Sequence, residues 1–273
     1  MKKTFLLLLS FLFLHACNKE EPVISDLQKI LAQQRDGLPS PIQILNLLEQ
    51  PTDGYVWLKS FTGPANDRPI TELGGFISGT WDLNYTGSSL NFGLMTTTMA
   101  ASGSGKNFSN VIDFNYQFEN IYGTSQNVQI GLQANPSQFV LNSNFYIPKH
   151  LSLTNYIFQL NQKPNWHSGS PISWVADGNN SHGIGIAVVY DPENLENKVF
   201  QPTHPNRTVN PIHTLDDGQY TFDNADFQGI PAGADVDIYI GRGNYQIAQL
   251  GSNGKKVGVY SYSVKLIPVI FGN

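Results

Sequence analysis

Three oxygen-bearing side chains at alternating positions, Asp177, Asn179 and Ser181, form the pattern most suggestive of a bound metal. Oxygen ligands at alternate positions open the calcium loops of helix–loop–helix proteins. Such a loop also needs a glycine at its sixth place and an acidic residue at its twelfth, and neither stands there. Two interpretations remain: a calcium site of another kind, to which Asp216 or Asp217 contributes, or a turn rich in Asp and Asn.

Histidines form a second group of candidate ligands. Zinc sites pair them at short spacings, whereas those beyond residue 16 follow one another at intervals of 17, 15, 22 and 9 residues. They are His150, His167, His182, His204 and His213. The sequence therefore predicts no metal site from local spacing, and ordinary surface histidines are the alternative. His204 and His213 flank the proline-rich stretch PNRTVNPI and are candidate ligand-binding residues.

Trp166 is the leading candidate for contact with a ligand. It lies in the polar stretch NQKPNWHSGSP, directly before His167, which is a further candidate. Apolar faces of sugar rings stack on aromatic rings, and neighbouring polar side chains bind the hydroxyls. The stretch predicts an exposed platform for a glycan. The alternative is that the aromatic residues, 12% of the chain, fill the core, as expected for Trp81 and Trp174 on predicted strands.

Motifs for catalysis are missing from the sequence. The stretch AASGSGKNF lacks the first glycine of a phosphate-binding loop and its Ser or Thr after the lysine, so it predicts a hairpin loop. There is no G-x-S-x-G nucleophile, and no pair of carboxylates stands out for glycoside hydrolysis. The sequence favours a non-catalytic protein, with a glycan-active enzyme as the weaker alternative.

Charge argues against a nucleic-acid partner. The chain has 16 Lys plus Arg against 21 Asp plus Glu, a formal charge of −5. Nucleic-acid binding depends on clustered cations, and no basic cluster here exceeds a pair such as Lys255-Lys256.

The N-terminus has the pattern of a cleaved secretory signal. The residues MKK precede the apolar run FLLLLSFLFL, which is too short to cross a bilayer. The following LHAC resembles the lipobox of bacterial lipoproteins, although His15 replaces the small residue usual there. The resemblance implies a signal peptide over residues 1–16 and a covalent lipid, such as palmitate, on Cys17. Because Cys17 is the only cysteine and has none to pair with, an anchor is favoured over the alternative, a free thiol in a secreted protein.

The residues after the cysteine carry a second resemblance. Lys19, Glu20 and Glu21 resemble the export signal of Bacteroidetes lipoproteins, which implies an anchor at the cell surface, on the outer face of the outer membrane. The alternative is a solvated tether. No cofactor besides the lipid is expected, apart from the calcium considered above.

Two short helices are predicted within residues 17–54, one over about 25–34 and one over about 41–49. In the second, Ile42, Leu45 and Leu48 share an apolar face. That face must pack on the domain that follows or on a partner.

From residue 55 the apolar period changes to two. Stretches such as ADVDIYIG and KVGVYSYSVKLIPVI alternate, and turn signals such as DGNN and DDG separate them. This pattern predicts an all-β protein built as an antiparallel β-sandwich after the short helical lead.

The second half resembles the immunoglobulin-like modules of Bacteroidetes lipoproteins through Trp174, GIGIAVVY, DDGQYTF and PAGADVDIYIGRGN. The resemblance implies an immunoglobulin-like sandwich over residues 164–273, after a β-sandwich region over 55–163. One continuous domain is the alternative. The sequence thus suggests a surface lipoprotein that binds a glycan or other polymer. The alternative is a structural or assembly lipoprotein that docks an outer-membrane protein through residues 25–50.

Overall fold

The computed structural model describes residues 52–63, 70–78, 89–102, 105–113, 119–132, 135–156, 163–200, 206–250 and 255–272. Several predicted features lie outside these residues: the signal peptide, Cys17, Lys19, Glu20, Glu21, the helices at 25–34 and 41–49, Trp81 and His204.

Strands dominate the described part of the chain, which confirms the all-β prediction. The fourteen strands described are β1 (Gly54–Thr62), β2 (Ile70–Ser78), β3 (Ser89–Phe92), β4 (Met95–Ser102), β5 (Gly105–Asp113), β6 (Thr124–Leu132), β7 (Asn135–Ile147), β8 (Asn165–Trp166), β9 (Pro171–Ser173), β10 (Ile184–Tyr190), β11 (Thr208–Thr214), β12 (Gln219–Thr221), β13 (Asp235–Leu250) and β14 (Lys255–Phe271). Within the same residues, an α-helix, α1 (Leu195–Phe200), and a 3₁₀ turn, Glu119–Ile121, accompany them.

Twelve of the strands form one sheet, in the order β11-β10-β13-β14-β1-β2-β5-β4-β3-β6-β7, with β8 beside β14, and β12 pairs with β9 in a small second sheet. The sheet is mixed, because β14 runs parallel to both β1 and β8. The other described strand pairings are antiparallel, as the sequence predicted. The immunoglobulin-like topology stays a prediction, as does a domain boundary between residues 163 and 164.

The stretch AASGSGKNF forms a hairpin, as predicted. Ala101 pairs with Lys106 and Ser102 with Gly105, where β4 turns into β5.

Two long strands, β13 and β14, organise the molecule. They pair antiparallel over their whole length, from Asp235↔Ile270 to Leu250↔Lys255. Successive side chains of a strand point to opposite faces, so even-numbered residues of β13 and odd-numbered residues of β14 share one face. We call this the core face, because it contributes to two hydrophobic cores.

The two cores occupy opposite ends of the core face. The first contains Val257 and Val259 of β14, together with residues of β1 to β4, β6 and β7. The second contains Ile267 and Val269 of β14, together with residues of β8 to β12 and of the segment 222–234. Both cores therefore depend on the same two strands.

A polar belt separates the two cores on the core face. It includes Arg242, Asn244 and Gln246 of β13. The end of β7 lies across the belt: Asn244 Nδ2 donates to the Tyr146 carbonyl at 2.7 Å, and Gln246 Nε2 donates to Ser143 Oγ at 2.5 Å. These side-chain hydrogen bonds join the far edge of the curved sheet to its centre.

Pro268 shows how β14 accommodates a residue that central strands normally exclude. Proline cannot donate to a sheet ladder, so it is confined to positions with a free side. The pairing of β14 with β1 ends at Lys265, and its pairing with β8 begins at Ile270. Pro268 falls in the interval where, among the described strands, only β13 is a neighbour.

Candidate functional site

The side of the sheet opposite the core face carries a third hydrophobic cluster. We call it the aromatic face and define it by Tyr55, Trp57 and Phe61 of β1, Tyr239, Tyr245 and Ile247 of β13, and Tyr260, Tyr262 and Val264 of β14. All nine residues are odd on β1 and β13 or even on β14. Strand alternation together with the pairing register therefore places them on one side.

A glycine allows the rings to lie close to the backbone. A Cβ atom on Gly258 would lie 2.7 Å from Cδ1 of Tyr55 and 3.0 Å from the hydroxyl oxygen of Tyr245. Because glycine has no side chain, the two rings can close over this position of β14.

The rings form a continuous layer across β1 and β14. Tyr260 stacks on Trp57 with ring centroids 6.1 Å apart and on Tyr262 at 6.1 Å, and it meets Tyr55 edge-on at 6.4 Å. Contacts of this kind contribute roughly 0.5–1.5 kcal/mol per pair beyond area burial.

Exposure divides the aromatic face into two parts. In the centre, Tyr245, Tyr260 and Tyr262 are 9%, 3% and 5% exposed. Along β1, Tyr55, Trp57 and Phe61 are only partly buried. Tyr239 and Ile247 of β13 are also partly buried. We call the three β1 residues the β1 strip, because they line up along one strand.

Two charged side chains accompany the β1 strip. The ammonium nitrogen of Lys59 lies 4.4 Å from the ring centroid of Trp57. The Trp57 indole N–H donates to the Glu72 carboxylate at 3.2 Å. Burial lowers the pKa of Lys59, and the nearby Glu72 opposes that shift. The strip therefore combines apolar ring surfaces with one donor and one acceptor group, an arrangement suited to binding a polar molecule that has apolar faces.

Three tyrosines of the face, Tyr239, Tyr245 and Tyr260, stay protonated near neutral pH. Burial and the charge of Asp237 raise the pKa of Tyr239 to about 12. Burial also raises the pKa of Tyr245 and Tyr260 above the usual range. The phenol rings are therefore neutral surfaces.

Trp166 is not the exposed platform that the sequence suggested. Its side chain is 8% exposed and packs in the second core, with its ring centroid 5.3 Å from that of Phe222. The cause is β8, which pairs with the end of β14 and turns the ring inward. His167, the next residue, is exposed, and its Nδ1 lies 2.6 Å from the Ser168 carbonyl oxygen.

His213, the other histidine candidate among the described residues, contacts the backbone of a neighbouring segment. Nε2 of His213 lies 2.8 Å from the carbonyl oxygen of His182. Burial lowers the pKa of both His182 and His213. In the described part of the chain, no three His, Cys, Asp or Glu side chains are grouped so as to hold a metal ion.

The acidic residues considered for calcium converge on an arginine. Arg242, whose side chain is fully buried, lies in the polar belt with Nη1 3.4 Å from Asp216 and 3.9 Å from Asp177. Its Nη2 donates to the Val175 carbonyl at 2.7 Å. Asp177 and Asp216, which one interpretation of the sequence placed at a shared calcium site, both lie within 4 Å of a guanidinium group.

Hydrogen bonds occupy the Asp177 carboxylate. It accepts from the Tyr146 hydroxyl at 2.7 and 2.8 Å, the Lys149 N–H at 2.8 Å and the Asn179 N–H at 3.2 Å. Burial opposes ionisation, but these hydrogen bonds and Arg242 hold the pKa of Asp177 below its usual value. This geometry gives no support to a calcium site at Asp177, Asn179 and Ser181.

His150 lies next to the polar belt, because its partner Ser60 contacts Ser263, and Ser263 pairs with Arg242. Its ring lies against Tyr122 with centroids 3.5 Å apart, and Nδ1 lies 3.2 Å from the Ser60 hydroxyl. Its Nε2 is buried without a hydrogen-bond partner among the described residues. Burial, with a smaller effect from the positive charge of Arg242, lowers the pKa of His150 from 6.5 to about 4.

We expect His150 to make the protein less stable in mild acid. Because its folded pKa lies below the unfolded value, the unfolded chain binds this proton first as the pH falls from 6.5 to about 4. Between pH 7 and pH 4.5 the free energy of unfolding of the wild type should fall. For His150→Asn the fall should be smaller by about 1–3 kcal/mol, as measured by urea unfolding at each pH.

The exposed His167 provides the matched control. His167→Asn should keep the wild-type pH dependence, to which the buried His182 and His213 also contribute. Equal losses for His150→Asn and the wild type would contradict the assignment. Asp177 does not affect this comparison. Because its pKa is lowered from 3.8, the stability that its carboxylate contributes is lost only as the pH falls below 3.8.

The sequence pattern that marks the aromatic face is a strand, β1, with apolar residues on both of its sides. In β1, Tyr55, Trp57 and Phe61 alternate with Val56 and Leu58, so both faces of the strand are apolar. A strand that is apolar on both sides is expected to have both sides buried in the protein or covered by a bound partner.

Comparison with known proteins does not identify a family for the chain. No protein-family model matches the chain, and a search of curated proteins finds no match. Within the described residues, no helix has the length and apolarity needed to span a bilayer.

Proposed function

We propose that the chain is a surface-anchored, non-catalytic lipoprotein that binds a glycan or similar polymer through the β1 strip. The observation that carries this proposal is the partial exposure of Tyr55, Trp57 and Phe61 on one side of a single strand.

The chemistry of the strip favours an extended, largely neutral ligand. Residues two apart on a strand lie about 6.6 Å from each other, so Tyr55 and Trp57 are neighbours in the line, and Phe61 follows after Lys59. Sugar rings have apolar faces for such stacking. Their hydroxyls could bond to Lys59 and Glu72, which flank Trp57.

The anchor belongs to the same proposal. A lipid on Cys17 would hold the protein at the outer membrane, and Lys19, Glu20 and Glu21 would direct it to the cell surface. The immunoglobulin-like character of residues 164–273 is likewise proposed, on the resemblance alone. We propose no nucleic-acid partner, because the chain is acidic.

Substitution of Trp57 tests the ligand surface. In affinity gels cast with mannan, xylan or dextran, the Cys17→Ser protein should be retarded by at least one polymer. Trp57→Ala should weaken that binding at least about fivefold, because stacking on one aromatic side chain is worth roughly 1–3 kcal/mol for nucleic-acid bases and we expect a similar loss for a sugar ring. Leu195→Ala removes an apolar side chain that is 75% exposed elsewhere and should bind normally.

Two outcomes would contradict the proposal. Normal binding by a folded Trp57→Ala protein would exclude the β1 strip as the ligand surface. Absence of retardation in these gels and on a glycan array would exclude a glycan as the ligand.

A further inference from the structure

The outer side of the sheet, opposite the first core, changes character between β1 and β7. On β4, β3, β6 and β7 it carries hydroxyl and carboxamide side chains. Strand alternation places them there, because neighbouring residues such as Leu90, Val128 and Leu141 belong to the first core. We call this surface the neutral face and define it by Thr96 and Thr98 of β4, Asn91 of β3, Gln129 of β6, and Asn142 and Asn144 of β7.

The pairing register arranges part of the neutral face as a row across four strands. Thr96 pairs with Asn91, Asn91 with Gln129, and Gln129 with Asn142. Because neighbouring strands lie about 4.8 Å apart, the row is about 14 Å long. Gln129 Nε2 donates to Asn142 Oδ1 at 3.2 Å, so these two carboxamides are already aligned.

The neutral face is open to solvent, unlike the centre of the aromatic face. Its members on β4 and β7 are exposed, and Asn91 and Gln129 are partly buried. A ligand can therefore reach this surface without any movement of the described strands.

Absence of charge distinguishes this surface from an ordinary solvated one. The strands β3, β4, β6 and β7 contain no Asp, Glu, Lys or Arg, although such residues make up 14% of the chain. Soluble surfaces usually carry about 25–35% charged residues, and edge strands in particular use lysine against unwanted pairing. β7 lies at the end of the sheet, and yet it exposes Asn142 and Asn144. The surface therefore favours an uncharged partner over a charged one.

Carboxamides and hydroxyls match the hydroxyl groups of a neutral glycan. A carboxamide has donor hydrogens and an acceptor oxygen, and a hydroxyl is both a donor and an acceptor. Each can therefore pair with a sugar hydroxyl in either direction. Binding such a ligand does not require the desolvation of any charge on this surface.

The neutral face lies on the same side of the sheet as the β1 strip. Between β1 and β4 the sheet contains only β2 and β5. The pairings of these strands bring Thr98 to about the same row as Trp57. From β1 to β7 this side of the curved sheet extends over about 29 Å, at about 4.8 Å per strand. A ligand that contacts both surfaces must be long.

We infer that one long, uncharged, hydroxyl-rich polymer binds the β1 strip and the neutral face together and lies across the strands. The rings of the β1 strip supply stacking, and the neutral face supplies hydrogen bonds further along the polymer. This inference rests on the proposed function, because it names the class of glycan and the path that the glycan takes.

Removing two carboxamides from the Cys17→Ser protein tests the neutral face. In the mannan, xylan and dextran gels, Asn91→Ala combined with Gln129→Ala should weaken polymer binding about tenfold, because each lost hydrogen bond is worth a factor of roughly two to ten. Gln219→Ala combined with Thr221→Ala is the matched control. It removes uncharged, exposed side chains two positions apart on β12, and polymer binding should stay normal.

A disaccharide of the same sugar separates the two surfaces. It is too short to reach both, so in calorimetric titrations it should bind the β1 strip of the wild type, of Asn91→Ala combined with Gln129→Ala, and of the control equally. Weaker disaccharide binding by the variant without the two carboxamides would overturn the shared path.

The gel results distinguish failure of this inference from failure of the proposed function. Normal polymer binding by a folded Asn91→Ala and Gln129→Ala protein, with weak binding by Trp57→Ala, would overturn the inference alone. Absence of retardation of the wild type would overturn both. If the variant does not fold, Asn142→Ala combined with Asn144→Ala, at exposed positions on β7, provides the same comparison. A wild-type dimer that either variant converts to monomers would assign the neutral face to a second copy and overturn the inference.

Discussion

Replacing Arg242 with methionine is expected to lower the free energy of unfolding by about 3–5 kcal/mol, the typical cost of removing one partner from a buried ion pair. The guanidinium lies between Asp177 and Asp216 in the polar belt, and its side chain has no exposed surface. Without it, two carboxylates remain in the interior beside a methionine that cannot compensate their charge. Equilibrium unfolding in urea, followed by tryptophan fluorescence, would measure the loss.

Two further variants show whether charge is the cause. Arg207→Met removes an exposed arginine and should change stability by less than about 0.5 kcal/mol. Arg242→Met combined with Asp216→Asn should recover part of the loss, because one unpaired carboxylate disappears. A loss below about 1 kcal/mol for Arg242→Met would show that water or rearrangement satisfies the two carboxylates.

Replacing Trp166 with alanine should cost stability and leave ligand affinity unchanged. The ring packs against Phe222 in the second core, and removing a buried aromatic side chain typically costs about 3–5 kcal/mol. Thermal or urea unfolding would show the loss. Polymer binding by the fraction that stays folded should equal that of the wild type.

The neighbouring His167 is the control for Trp166. His167→Ala alters an exposed side chain in the same segment and should change stability by less than about 0.5 kcal/mol. If Trp166→Ala bound polymer more weakly but unfolded normally, the hypothesis of an exposed platform at Trp166 would return.

Much of the fold could be predicted from local sequence pattern. The alternation in ADVDIYIG and KVGVYSYSVKLIPVI correctly marks β13 and β14 because side chains on a strand face opposite sides at every step. The parallel pairing of β1 with β14 could not be found in this way. It joins Gly54 to Val257, and no local period records a contact between such distant residues.

The candidate site was less predictable for a related reason. Trp166 lies among polar residues, so its surroundings in sequence suggested exposure, but pairing with the end of β14 turned it inward. Asp177 and Asp216 were considered together, but the group between them, Arg242, lies on a strand that looked ordinary in sequence. In both cases the decisive neighbour comes from one of the last two strands.

The position of β14 between β13 and β1 also sets the order of events during folding. The first described strand reaches its place only when residues 257–265 are available, about two hundred positions later in the chain. Contacts between such distant segments must first overcome the entropy of closing a long loop, and proteins rich in them fold slowly. While the nascent polypeptide is still incomplete, neither core can close. We therefore expect the protein to acquire its structure in one late step, after the final strand has emerged.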